Sequence, residues 1–188
     1  SIAVGDFNGD SQLDLAVAQK GLLVLELLAH GTACHAAHAT TLGVTLGFTN
    51  AARALARDLV ALESIELGPA HPELGFVTLE PTVVRAGEAR NAVPALASAI
   101  LDVRTTPVVE PAEMVERVRA LVAAEVRVAS ERLHPRGTAL DSEIVRAALR
   151  VRPEARCYGS ATLSDWALLP AIPAIKCGPG VSERSHQA

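Results

Sequence analysis

The sequence predicts an α/β (α+β) chain, a β-α-β-β-α-β sandwich over residues 20–134 followed by a partial α/β region over residues 135–188. Three observations carry this prediction. Apolar residues recur at intervals of two in some segments and of three to four in others, the periods of half-buried strands and amphipathic helices. Glycine and proline pairs punctuate the intervals between those segments. Of the 188 residues, 49% are apolar and 20% charged, enough to build a core and too few charges for bulk disorder.

The elements follow in order. Leu22 to Leu28 is an apolar run broken only by Glu26 and bounded by Gly21 and Gly31, which reads as a strand. Residues 31–49 are rich in Gly, Ala, Thr and His without a firm period, and read as a loop with some local helix. Asn50 can cap a helix running to about Leu62, with Leu55, Leu59 and Leu62 at helical spacing. Phe76 to Arg85 is strand-like, and Pro81 inside it calls for an edge or a bulge. Ala95 to Val103 is a further strand. Pro111 suits the first turn of a helix to about Glu125, striped by Met114, Val115, Val118, Leu121 and Val122. Val126, Val128 and Ser130 alternate with Arg127, Ala129 and Glu131 as in a half-buried strand. This order is that of the split βαβ, or ferredoxin-like, sandwich, with one sheet face under two helices and the other free for a partner. The remainder predicts a helix from Ser142 to Val151 capped by Asp141, a short helix from Ser164 to Leu169 capped by Ser164, and a strand from Ile172 to Lys176. Alternating short elements suggest part of a second, α/β domain, with the boundary near 134–137.

Composition excludes several function classes. A net charge of −4 argues against nucleic-acid binding through a broad basic surface, and aromatic residues at 3% disfavour stacking platforms. No apolar run is long enough to span a bilayer. Cys34, Cys157 and Cys177 form no CxxC pair, so a disulfide scaffold is not expected and a cytoplasmic location is the default. The start at Ser1 and the end just past a histidine suggest a fragment.

Two clusters invite metal chemistry. Cys34, His35 and His38 offer a local soft-ligand site, against the plainer reading of loop histidines beside a buried cysteine. Asp6, Asn8, Asp10 and Asp14 stand at alternate positions around Gly9, hard oxygen ligands of the kind calcium takes. The segment from Val4 to Ala18 resembles an FG-GAP repeat of integrin-type propellers, although no second copy follows. The alternative is a solvated acidic turn.

Seven further segments occur in order: Gln19-Lys20-Gly21, Gly31-Thr32-Ala33-Cys34-His35-Ala36, Gly47-Phe48-Thr49-Asn50-Ala51, Gly87-Glu88-Ala89-Arg90-Asn91-Ala92-Val93-Pro94, Leu101-Asp102-Val103-Arg104, Ser164-Asp165, and Gly178-Pro179-Gly180 with Ser185-His186. Over residues 15–188 the chain resembles the metallopeptidase and deacylase family of acetylornithine deacetylase, succinyl-diaminopimelate desuccinylase and carboxypeptidase G. The resemblance implies a βαββαβ lid used for homodimerisation, here residues 20–134. Residues 135–188 then belong to a truncated catalytic domain, and residues 1–19 are an FG-GAP-like segment or a catalytic-domain remnant.

The resemblance also implies roles. His35 matches a lid histidine that reaches the partner subunit's active site and holds the substrate carbonyl and its developing oxyanion. Asn91 and Arg104 match lid positions that bind polar groups of the substrate, against plainer readings of a turn-satisfying amide and a strand-end ion pair with Asp102. Gly178 and Gly180 would bring backbone close to substrate, or simply make a tight turn. Asp165 would orient local backbone. His186 matches a metal-ligand histidine. Asp6 is open between the family's acidic zinc ligand and a calcium ligand, the foreign FG-GAP-like end being slightly favoured. The family uses two zinc ions, with cobalt a substitute, to activate water against N-acyl amino acids or peptides. Its His-x-Asp, bridging Asp and Glu-Glu pair have no match here, so the chain is expected to be inactive alone. The alternative is a non-catalytic dimerisation module.

Overall fold

In the computed structural model, residues 14–39, 49–169 and 172–176 are described. The strands among them are β1 (Asp14–Gln19), β2 (Leu22–His30), β3 (Cys34–His35), β4 (Thr78–Ala86), β5 (Ala92–Val93), β6 (Leu96–Arg104), β7 (Glu125–Leu133), β8 (Arg136–Gly137) and β9 (Arg156–Ser160). The α-helices are α1 (Ala51–Ala61), α2 (Pro111–Leu121) and α3 (Glu143–Val151).

Four long strands form an antiparallel sheet in the order β4-β6-β2-β7, which is the predicted ferredoxin-like arrangement. Alternation sets its faces. Leu23, Leu25 and Leu27 from β2 and Ala97, Ala99, Leu101 and Val103 from β6 all point to one buried side. Leu55 of α1 and Met114, Val115 and Val118 of α2 close that side into a single core. Pro81 sits on the edge strand β4, and the register shifts between Pro81 and Val83, as a residue without an amide proton requires.

The helices show what sets their ends. Asn50 caps α1, its side-chain oxygen accepting from the Arg53 amide at 3.2 Å. The expected end of α2 at Glu125 is too late. Its last residue is Leu121, because the buried Asp58 carboxylate accepts the amides of Ala123 and Ala124 at 3.0 and 2.9 Å and holds them in a turn. Asp58 thus ties α1 to the α2–β7 connection.

The remaining strands make a three-stranded sheet, β8-β1-β9, with β1 antiparallel to β8 and parallel to β9. Here the sequence reading needs correction. Residues 14–19 are a central strand, with Leu15 through Gln19 at most 2% exposed. Burial on both faces is what makes this run apolar rather than alternating. Ser142, not Asp141, occupies the N-cap position of α3, and its side chain makes no capping bond. Residues 164–169 form a 3-10 turn, Asp165–Leu168, also without a side-chain cap, because the Ser164 hydroxyl donates to Gln19 Oε1 at 2.7 Å instead. The expected strand from Ile172 to Lys176 reduces to a bridge between Lys176 and Ala16.

The two sheets meet at the crossovers β1–β2 and β7–β8. Gly21 exchanges backbone hydrogen bonds with Thr105, and a Cβ there would stand 2.5 Å from the Pro135 nitrogen, so only glycine fits.

Candidate functional site

The turn after β2 carries His35. Its Nδ1 accepts the Ala37 amide at 3.2 Å, which leaves the ring's N–H at Nε2, and the side chain is exposed. The strand pair β3–β5 sets His35 opposite Ala92, and the Ala36 amide donates to the Asn91 carbonyl at 2.9 Å. Two residues far apart in sequence are therefore neighbours, both exposed. Asn91 ends a turn that begins with Gly87 at φ 75°, a left-handed conformation that only glycine adopts cheaply. A cleft of about 690 Å³ lies alongside, lined by Ala33, Arg85, Glu88, Val93, Pro94 and Ser98.

Arg104 is elsewhere. It closes the opposite end of β6, roughly 26 Å of strand from Leu96. Its Nε and Nη2 donate to the two Asp102 oxygens at 2.6 and 2.9 Å, a two-pronged, half-buried pair between residues on one face of the strand. The strand-end ion pair named from the sequence is thus present. The structure brings His35 to Asn91 and brings neither to Arg104 within one chain.

Around Arg104 the sheet junction is polar. Lys20 is buried and donates from Nζ to the Phe76 carbonyl at 2.6 Å. Burial first, and the Arg104 charge second, push the Lys20 ammonium below its ordinary range. Lys176 donates to Ser160 Oγ at 2.9 Å, and its ammonium is likewise lowered by burial. Ser160 was not singled out by sequence reasoning, and Lys176 appeared only as the end of an expected strand. Only the Gln19-Lys20-Gly21 motif pointed to this place, because the partners converge from strands that are distant in sequence.

Asp6, Asn8, Asp10, Gly178, Gly180 and His186 lie outside the described residues, as does Cys177. Asp14 begins β1. Among the described residues no group of three or more His, Cys, Asp or Glu is placed to hold a metal ion. That removes the local Cys34/His35/His38 site. His35 and His38 stand with ring centroids 5.9 Å apart, and His35 spends one ring nitrogen on backbone. Burial, then the Glu73 charge, push the Cys157 thiol up, away from the thiolate that reacts or binds metal. No helix among the described residues is long and apolar enough to cross a membrane.

Comparison with known proteins agrees with this fold. The chain is similar in fold to aminopeptidase PepT from Bacillus cereus, with a TM-score of 0.64 at 17% identity, over 92% of this chain and 47% of that one. A tripeptidase from Staphylococcus aureus gives 0.62 at 16% identity, over 88% and 45%. The M20 family metallo-carboxypeptidase Sso-CP2 from Sulfolobus solfataricus gives 0.60 at 19% identity, over 87% and 51%. The chain spans about half the length of these structures. No curated protein sequence matches significantly. Residues 17–129, more than half of the chain, match the M20 peptidase dimerisation domain, and the chain belongs to that family.

Proposed function

We propose that this chain is the association and substrate-positioning part of a metal-dependent amidohydrolase acting on N-acyl amino acids or peptides. Residues 20–134 form the lid, residues 135–188 contribute to a catalytic domain, and residues 1–19 enter that domain through β1. The reading rests chiefly on the pairing of His35 with Asn91 at one end of the sheet. The His35 Nε2–H is suited to donate to a substrate carbonyl and to the oxyanion that develops from it. Asn91 offers an amide to a neighbouring polar group, and Arg104 offers a fork to a carboxylate. His35 lies by the Leu96 end of β6 and Arg104 closes the other end, roughly 26 Å of strand away, so the two are proposed to serve one substrate when His35 comes from a second copy.

The homodimer is proposed to form through β4. That edge strand is exposed along its length, with Val83 at 40% and Val84 at 55%, and Val60 of α1 is 65% exposed. The other edge, β7, carries four charges, Glu125, Arg127, Glu131 and Arg132, against Glu80 and Arg85 beside Pro81 on β4, and charges oppose strand addition.

Zinc would supply the activated water in such a hydrolase. The described residues do not by themselves form a zinc centre. His186, and Asp6 if it is not a calcium ligand, are proposed as ligands, with Gly178 and Gly180 offering backbone to substrate. A second reading, a dimerisation module without catalysis, is supported by the match of residues 17–129 to a peptidase dimerisation domain. The cytoplasm is the proposed location.

Sedimentation equilibrium tests the association: a dimer is expected, dissociated by Val84→Arg, and a monomer at every concentration overturns it. Chemical-shift titration with an N-acetyl amino acid tests the positioning role. Saturable shifts at His35 and Asn91, lost in His35→Ala, are expected, and their absence favours the bare module. The chain with added zinc is expected to hydrolyse none of these compounds, and turnover overturns that expectation.

A further inference from the structure

We propose that residues 69–76 form a strap that fastens the sandwich to the smaller sheet, and that releasing it lets the two sheets turn about the crossovers β1–β2 and β7–β8. This device does not depend on the hydrolase reading. In sequence the segment belongs to the sandwich, between α1 and β4. Both of its roots lie there, for Leu67 packs against the sandwich core and Val77 is part of it. Its middle meets the other sheet.

The strap is preformed. His71 and Gly75 exchange backbone hydrogen bonds at 2.8 and 2.9 Å, which closes residues 71–75 into a small loop. Within it, His71 Nδ1 accepts the Glu73 amide at 3.2 Å. A loop that satisfies these backbone groups internally keeps the bonds when it lifts, so it moves as a unit.

It is held down at β9 and just after β1. A Cβ added at Gly159 of β9 would stand 2.1 Å from the Glu73 carbonyl oxygen and 2.7 Å from Leu74 Cδ2, so the strap's backbone lies directly on that strand. Neither crossover contains β9, and the strap is therefore a link that the chain path does not itself supply. The Leu74 side chain is buried. Lys20, which follows β1, donates from Nζ to the Phe76 carbonyl at 2.6 Å. Beside these points His71 and Glu73 line a cavity of about 200 Å³ together with Val17, Ala18, Thr138 and Leu140. The strap thus rests on a few points around an unfilled space, not on a packed layer. Few buried apolar contacts mark a segment that opens before the fold does, and units joined by a small contact move relative to each other once it opens.

Residual dipolar couplings of backbone amides, measured on the full chain weakly aligned in dilute phage, read whether the two sheets share one orientation. With the strap fastened, the couplings of β2 and β6 and those of β1, β9 and α3 are expected to fit a single alignment tensor. Leu74→Ser removes the buried side chain and is expected to split them into two tensors, with the chemical shifts of β2 and β6 unchanged. Gly159→Ala, which pushes the strap off β9, is expected to do the same, and whichever of the two variants folds carries the test. Phe76→Ser alters an exposed side chain and keeps the carbonyl that Lys20 binds, so one tensor is expected to persist. Two tensors in the native chain, a single tensor retained in Leu74→Ser, or a split in Phe76→Ser as large as that in Leu74→Ser would each overturn the proposal.

Discussion

Strands β2 and β6 alternate, one side chain into the core and the next toward the open face, and two helices cover the core side with leucine, valine and methionine. Strand β1, in the smaller sheet, buries five residues in a row. Among the described residues, the apolar cluster around it comprises Leu15, Ala148 and Ala155, with Leu149, Cys157 and Ile175 packed beside them. Its other ties are polar: Ser164 to Gln19, Lys176 to Ser160, Arg136 to two carbonyls. The sandwich is held by many interchangeable apolar contacts, the smaller sheet by a few specific ones. The first arrangement tolerates sequence drift, and the second places polar groups where a ligand can meet them.

Truncations test this contrast most strongly. Leu101→Ala, in the sandwich core, is expected to cost about 4 kcal/mol in urea denaturation, and Leu15→Ala about 2 kcal/mol, because fewer apolar neighbours surround it. Equal costs would break the distinction. Asp58→Ala leaves the amides of Ala123 and Ala124 without their acceptor and is expected to cost about 3 kcal/mol, showing that the sandwich also depends on one polar tie. Gly87→Ala forces a side chain into a left-handed turn for about 1–2 kcal/mol, read as a lower melting temperature. Arg104→Gln removes a half-buried ion pair and should change stability by less than about 1 kcal/mol. A larger loss would mean that the junction depends on that pair.

The smallest effect is one of pH. The folded values of Lys20 and Lys176 lie below their ordinary 10.5, so below that value the unfolded chain holds protons that the folded chain has begun to release. Stability attributable to these two groups therefore rises with pH through the window ending near 10.5. Melting curves of the native chain should rise with pH relative to those of a Lys20→Met/Lys176→Met variant, since the opposing slope from the raised Cys157 thiol is common to both.

What the sequence disclosed follows from the same contrast. The strands and helices of the sandwich were legible because each buries one face and so writes its period into the chain, and Pro81 marked its own edge and bulge. The pairing of His35 with Asn91 was accessible only through motif resemblance, since strand pairing, not spacing, joins them. The early end of α2 depends on Asp58, some sixty residues away, and no local pattern announces it. Strand β1 was missed because its two-sided burial erases alternation.

Lys20 and Lys176 are the only lysines in the chain, and the other strongly basic side chains are all arginine. Both amines are engaged at the sheet junction, one with the Phe76 carbonyl and one with the Ser160 hydroxyl. Lysine chemistry is thereby concentrated at one place in the fold, with Lys20 buried and Lys176 half-buried. A lysine-selective acylating reagent or endoprotease makes no use of the arginines and meets, beyond the chain's own α-amino group, only those two engaged residues. The rate of Lys20 modification thus becomes a clock for opening of the junction.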